Sequence, residues 1–406
     1  MPSLDDLPEN PGPDRPVAAG AAAVTPPRAR LDGVRLAVKD LVAVAGRPLR
    51  AGSRARSGAP PEPRDAAVVA TLRAAGAAVG DSVALHELAF GTTGVNDQVG
   101  FPPNPHDPTR IPGGSSSGSA VAVATGAADL ALGTDTGGSV RIPAALCGVV
   151  GFKPTRGAYP TDGVLTLSAT LDHVGLLGPT VEAVARGHRA LTGDDVPGPA
   201  APGRLGVEAA ALAVADPPVA AAVGRVLDTL RAAGWEVVEV EWPARDRVQE
   251  VTTTIMFAEA AAHHRALLDG HAGELGADVR SRLEAGADVT HDAYRSALAE
   301  AAALTAEVGA VLDDVDAVVG PTVPVLAPTI DEARATPTLP AVLVSNTRIG
   351  NVVGLPAISV PVPPSPADPA GPGAPALPVG FQVMAAADVD ALAVAAAVEH
   401  LARSLP

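Results

Sequence analysis

The chain has 406 residues, 47% of them apolar and 18% charged, and carries a formal net charge of −16. That composition supplies a large core and excludes wholesale disorder. With 2% aromatics and few basic residues it also argues against a nucleic-acid ligand, which needs concentrated Lys and Arg and rings for base stacking.

Cys147 is the single cysteine, so no intramolecular disulfide can form and a reducing, cytoplasmic setting is expected. The acidic, Pro-rich start MPSLDDLPENPGPDRP has no apolar stretch of the secretory kind, and no apolar run reaches the ~18 residues of a membrane span. Residues 1–28 read as a flexible Pro/Ala-rich arm, and 29–406 as one large domain without an internal repeat or a clear linker. From Val34 to Val42 (VRLAVKDLV) the pattern is that of a buried strand; Ala66–Ala75 has helical spacing, and the following AGAAVGDSVA returns to a strand. The same β-α-β rhythm recurs in a strand at Arg204–Val207, a helix over Pro218–Ala233 and a strand over Trp235–Val240. Helical spacing then dominates from about Val251 to Leu312, with breaks at Gly270–Gly276 and Gly286. DAVVGPTVPV (316–325) and GLPAISVPV (354–362) read as buried strands. A Pro/Ala/Gly loop at 363–377, the strand PVGFQVMA and a last helix from about Val389 to Ser404 complete the chain. The expected fold class is α/β, with a mixed, mostly parallel sheet covered by helices on both faces.

Lysine occurs only at positions 39 and 153, every other long basic residue being Arg. Arg is never deprotonated in a protein, whereas a buried Lys can become a base, so both lysines are candidate functional groups. The segment Gly113–Gly157 holds two Gly-flanked serine clusters, GGSSSGS ending at Ser119 and GTDTGGS ending at Ser139, each running into apolar residues. Glycines of this kind let successive backbone N–H groups face one point, as an oxyanion hole requires. A flexible linker would not meet a dense apolar run twice within 40 residues. A P-loop would need Lys-Ser/Thr straight after its glycines, and a dinucleotide fingerprint would need G-x-G-x-x-G; neither is present.

This segment resembles the Gly/Ser-rich signature of the amidase signature family along its whole length. The likeness continues in AVKDLV around Lys39, in TLDHVGLLGPTVE at 170–182, and in GLPAISVPVP and PVGFQV. The resemblance implies a Ser-Ser-Lys triad: Lys39 as base, Ser115 as a bridging serine following a cis peptide, and Ser139 as nucleophile. It further implies an oxyanion hole at Thr136, Gly137, Gly138 and Ser139, an acyl pocket including Phe90, Thr92 and Ser116, and loop support from Asp135 and Arg141. Lys153 is then structural. The expected reaction is hydrolysis of a small-molecule carboxamide through an acyl-enzyme, with no metal or cofactor, no membrane and, by default, a homodimer. Burial must hold Lys39 neutral; Asp40, next in sequence, would oppose this unless strand alternation turns it to the other face.

Three alternatives carry different chemistry or none: a glutaminase subunit of a tRNA-dependent amidotransferase, a carbamate or urea-derivative hydrolase on the same core, and a non-catalytic binding relative. VGDSVALHELAF departs from the pattern of the amidotransferase subunits, and the intact triad argues against a silent relative. Cys147, among apolar neighbours, reads as an inert thiol. His263 and His264 are adjacent on a helix, point in different directions, and read as surface residues.

Overall fold

A computed structural model describes residues 4–18, 29–364 and 376–405. Positions 19–28 of the expected arm and 365–375 of the Pro/Ala/Gly loop lie outside the described residues. Ten strands among the described residues form one sheet: β1 (Arg35–Lys39), β2 (Ala78–Val83), β3 (Leu130–Asp135), β4 (Val150–Lys153), β5 (His173–Gly178), β6 (Arg204–Val207), β7 (Glu236–Glu239), β8 (Ala317–Pro321), β9 (Ala357–Val362) and β10 (Val379–Met384). Their order is β2-β1-β3-β5-β4-β9-β10-β8-β6-β7.

The sheet is mixed. Parallel ladders make up the wings, β2-β1-β3 on one side and β8-β6-β7 on the other, each fed by helical crossovers. Between them, β5, β4, β9, β10 and their neighbours pair antiparallel. β3 and β5 are buried at every position, which explains their continuous apolar runs and the absence of clean alternation. Helices Ala67–Ala74, Val181–Thr192, Pro217–Ala232 and Asp388–Ala402 pack together over one face. Ser117–Ala124 and Arg141–Cys147 cover the other. The core is mostly Ala, Val and Leu, as the scarcity of rings requires. Among the described residues no helix is long and apolar enough to cross a membrane.

The long helical region differs from its sequence reading in one instructive respect. It comprises Arg245–His263, Arg265–His271, Ala277–Ala287 and His291–Leu312. Gly276 does interrupt it, but Gly286 lies inside the last turn of Ala277–Ala287. A Cβ at Gly286 would run into the carbonyl oxygen of Phe257, so the glycine is there for close helix approach and not as a break.

His263 and His264 are buried, contrary to the surface placement expected for them. For His263 the reason is the N-terminal segment, which folds across the helix end: Pro8 O lies 2.5 Å from His263 Nδ1, and Asn10 N donates to His263 O at 2.9 Å. Burial pushes the His264 imidazole down to about 3. The described part of the arm is tied down further on. Asn10 Nδ2 donates to Thr166 O (2.7 Å), and the Glu62 carboxylate accepts from Val17 N and Ala18 N (2.9 Å each).

Gly286→Ala is expected to destabilise the fold by about 1–3 kcal/mol through overpacking between the Arg245–His263 and Ala277–Ala287 helices; chemical denaturation reads this as a lower midpoint, and an unchanged midpoint contradicts it.

Candidate active site

Because β1 and β3 are parallel and in register from Leu36↔Leu130 to Val38↔Leu132, their C-terminal ends meet at one edge. Lys39 ends β1; Thr134 and Asp135 end β3, and the second serine cluster follows at once. Ligand sites of α/β sheets sit beyond such strand ends, where side chains and fresh N–H groups converge.

Lys39 is wholly buried. Its Nζ reaches three hydroxyls: Ser115 Oγ at 2.8 Å, Thr134 Oγ1 at 2.8 Å and Ser116 Oγ at 3.0 Å. Burial lowers its pKa to about 7, against the opposing pull of Asp172 and Asp135. Asp40 is not among these perturbers. Its carboxylate turns away, accepts from Arg50 N at 3.2 Å, and is itself pushed up to about 6 by burial.

The Gly114–Ser115 peptide is cis. Backbone bonds fix this loop on three sides, from Gly114 N to Thr92 O (2.7 Å), from His86 N to Ser115 O (3.1 Å) and from Ser116 N to Ser139 O (3.1 Å). The last of these joins the two serine clusters directly. Ser139 is 5% exposed and lines a cavity of about 210 Å³.

The loop from Asp135 to Ser139 is held by side chains. Asp135 Oδ1 accepts from Gly138 N (2.8 Å) and Oδ2 from Val140 N (3.1 Å), while Arg141 forks onto both oxygens through Nε (3.1 Å) and Nη2 (2.9 Å). Asp135 and Arg141 are both 0% exposed. Burial would raise the Asp135 pKa, but Arg141, Lys153 and Asn351 outweigh it and hold the carboxyl below the usual range. Thr136 Oγ1 donates to Asp172 Oδ1 at 2.6 Å, and Thr347 Oγ1 to Gly137 O at 2.6 Å. Gly138 has φ +131°, and a Cβ there would strike Thr347.

Phe90 and Thr92, expected at the acyl pocket, line this cavity with Met256, Phe257, Arg282 and Arg348. Phe90 and Phe257 meet edge to face, with centroids 5.1 Å apart. Ser116 does not line it. That expectation is corrected: Ser116 is fully buried behind Ser115, where it accepts a hydrogen bond from Lys39 Nζ and donates to Thr134 O at 3.2 Å. Gly138 N–H, expected in an oxyanion hole, is occupied by Asp135. Lys153 is buried, its Nζ donating to Pro154 O at 3.0 Å. Cys147 is buried with its thiol pushed far up, as an inert thiol should be.

Sequence reasoning did not single out Thr134, Asp172, Thr347, Asn351 or Arg348. Thr134 and Asp172 were findable, since they lie within the two quoted segments GTDTGGS and TLDHVGLLGPTVE. Thr347, Asn351 and Arg348 stand in a stretch with no local signature. Size alone would not have found the site either: a cavity of about 610 Å³ beside β7, lined by Trp242 and Arg247, contains none of Lys39, Ser115 and Ser139. His188, Asp194 and Asp388 place ligand atoms within 4.8 Å of one another. His188 Nε2 already faces Asp194 Oδ2 at 3.3 Å, and none of the three lines the Ser139 cavity.

The sequence profile of the amidase family matches residues 17–393. An amidase of Pseudomonas putida is 37% identical over 359 residues, covering 82% of this chain and 75% of that protein. An indoleacetamide hydrolase of Pseudomonas savastanoi is 34% identical over 212 residues, 52% of this chain and 46% of the relative. The chain thus spans about half the length of the indoleacetamide hydrolases it matches. A crystal structure of an amidase superposes with a TM-score of 0.82 at 37% identity, covering 93% of this chain and 86% of that one.

Arg141→Met leaves the Asp135 carboxylate buried without its charge partner and is expected to cost about 3–5 kcal/mol of stability; a loss below 1 kcal/mol in urea denaturation would contradict the clamp described here.

Proposed function

The chain belongs to the amidase family, and we propose that it hydrolyses a small-molecule carboxamide with Ser139 as nucleophile, Ser115 as proton relay and Lys39 as base. The observation that carries this reading is the buried Lys39 Nζ, 2.8 Å from Ser115 Oγ and depressed to about 7. Near that pH a large share of Lys39 is neutral and can accept a proton, which an ordinary surface lysine cannot do.

In the proposed cycle Ser139 Oγ attacks the amide carbon while its proton passes to Ser115, whose own proton passes to Lys39. The tetrahedral oxygen is stabilised by the N–H groups of Thr136, Gly137 and Ser139, for Gly138 N–H is already given to Asp135. Collapse breaks the C–N bond as the relay runs backwards and protonates the departing amine or ammonia. Water, deprotonated along the same route, then attacks the acyl-Ser139 ester, releases the acid and restores all three groups. Ser116 and Thr134 leave Lys39 few ways to rotate, so its lone pair is aimed once it is neutral. Asp135, clamped by Arg141, fixes the loop that presents the oxyanion donors.

The net charge of −16 disfavours a nucleic-acid partner, and the lone buried thiol accords with a cytoplasmic enzyme. Phe90, Met256 and Phe257 give the acyl cavity an apolar wall.

Ammonia release from small primary amides is expected to fall by about three orders of magnitude or more in Ser139→Ala; an active mutant overturns the nucleophile. The sign of the pH dependence follows from the need for neutral Lys39. kcat/KM is expected to rise as pH increases through about 7 and to level off above it, and a rate that falls across this window would remove Lys39 from the role of base.

A further inference from the structure

Two arginines line the cavity at Ser139, and they differ in one respect. Arg282 is answered within the protein: Nη1 lies 3.4 Å from Asp278 Oδ2 and donates to Phe90 O, and the guanidinium sits over the Phe90 ring. Arg348 is not. Among the described residues no carboxylate pairs with it. Its Nη1 donates only to Thr253 Oγ1 at 3.2 Å and, at the limit, to Gln249 O at 3.5 Å; its Nε is out of contact with solvent and has no partner. Burial pushes its pKa down to about 10. A half-buried guanidinium held without an anion is costly, whereas Asp135 meets that cost for the buried Arg141.

Its position is fixed by the reaction loop. Thr347, the preceding residue, donates to Gly137 O at 2.6 Å, and a Cβ built on Gly137 would lie 3.7 Å from Arg348 Cγ. The stem of Arg348 therefore runs along the loop of the proposed oxyanion hole, and its head reaches the Arg245–His263 helix across the cavity. A substrate whose carbonyl sits at Ser139 would have its acyl chain beneath this guanidinium, in a space of about 210 Å³.

We propose that Arg348 anchors a carboxylate on the acyl part of the substrate, so that the preferred substrates are mono-amides of short dicarboxylic acids. This rests on the amidase reading and narrows it. The carboxylate supplies the missing anion, accepts from the Nη groups that guanidinium turns to the cavity, and leaves the amide end at Ser139.

The test has two arms. The first compares kcat/KM for succinamate with that for butyramide, a neutral amide of similar size, in wild type, Arg348→Met and Arg348→Lys; the ratio of the two substrates is read, which cancels any general loss of activity. Wild type is expected to favour succinamate, Arg348→Met to lower that ratio on the order of thirtyfold or more, and Arg348→Lys to restore part of it. A wild-type preference for butyramide, or a ratio unmoved by Arg348→Met, overturns the proposal. The second arm measures binding of succinate by calorimetry to Ser139→Ala protein, where no turnover occurs. Binding that disappears when Arg348→Met is added supports the anchor, and absent or unchanged binding overturns it. If succinate binds through Arg348 while no amide is cleaved by wild type, the amidase reading falls and the anion site stands.

Discussion

The site depends on keeping one ammonium group dry. Lys39 Nζ lies at the end of a strand buried from Leu36 onward, and its fall from 10.5 to about 7 corresponds to roughly 5 kcal/mol of lost preference for the charged form. Hydroxyls are the right neighbours for such a group. Ser115, Ser116 and Thr134 can accept from an ammonium or, by rotating a proton, donate to a neutral amine, so they tolerate both protonation states without fixing either. A carboxylate in any of these places would restore the charge.

Two carboxylates do stand nearby, and the structure limits the influence of each. Asp135 is neutralised by the bidentate Arg141 and further bound by Asn351, so its charge is largely spent before it reaches Lys39. Asp172 is shifted upward by its own burial and takes its hydrogen bonds from Thr136 and from the backbone at Leu167 and Ser168. Both also shape the reaction loop, Asp135 through Gly138 and Val140, Asp172 through Thr136. Loop geometry and base acidity are therefore set by the same residues, and a change at Asp135 or Arg141 affects both.

The wall of the cavity has a different origin from its floor. The floor comes from β1, β3 and the two serine clusters, close together in sequence order. The wall comes from the Arg245–His263 and Ala277–Ala287 helices, drawn into contact at Gly286 and Phe257, and from the short Arg348–Val352 helix tied to Gly137 by Thr347. The serine clusters and the wall that faces them thus rest on separate segments.

The sequence by itself determined the family and singled out the residues that gather beyond the strand ends. Lys39, Ser115 and Ser139 were legible because two of them lie in dense Gly/Ser signatures and the third is one of two lysines; the strands around them were legible because buried β-structure writes itself as apolar runs. Tertiary structure alone decided the rest. Whether a serine in GGSSSGS faces substrate or base depends on the path of the loop, which sends Ser116 behind Ser115. Which N–H groups of the Thr136–Ser139 loop stay free depends on a carboxylate, Asp135, that claims Gly138 N–H. His263 is covered by a segment some 250 residues distant, and Arg348 is an unpaired cation only because none of the described acidic residues is brought to it. These are relations between parts of the chain far apart in sequence, and local pattern carries no record of a partner, or of its absence.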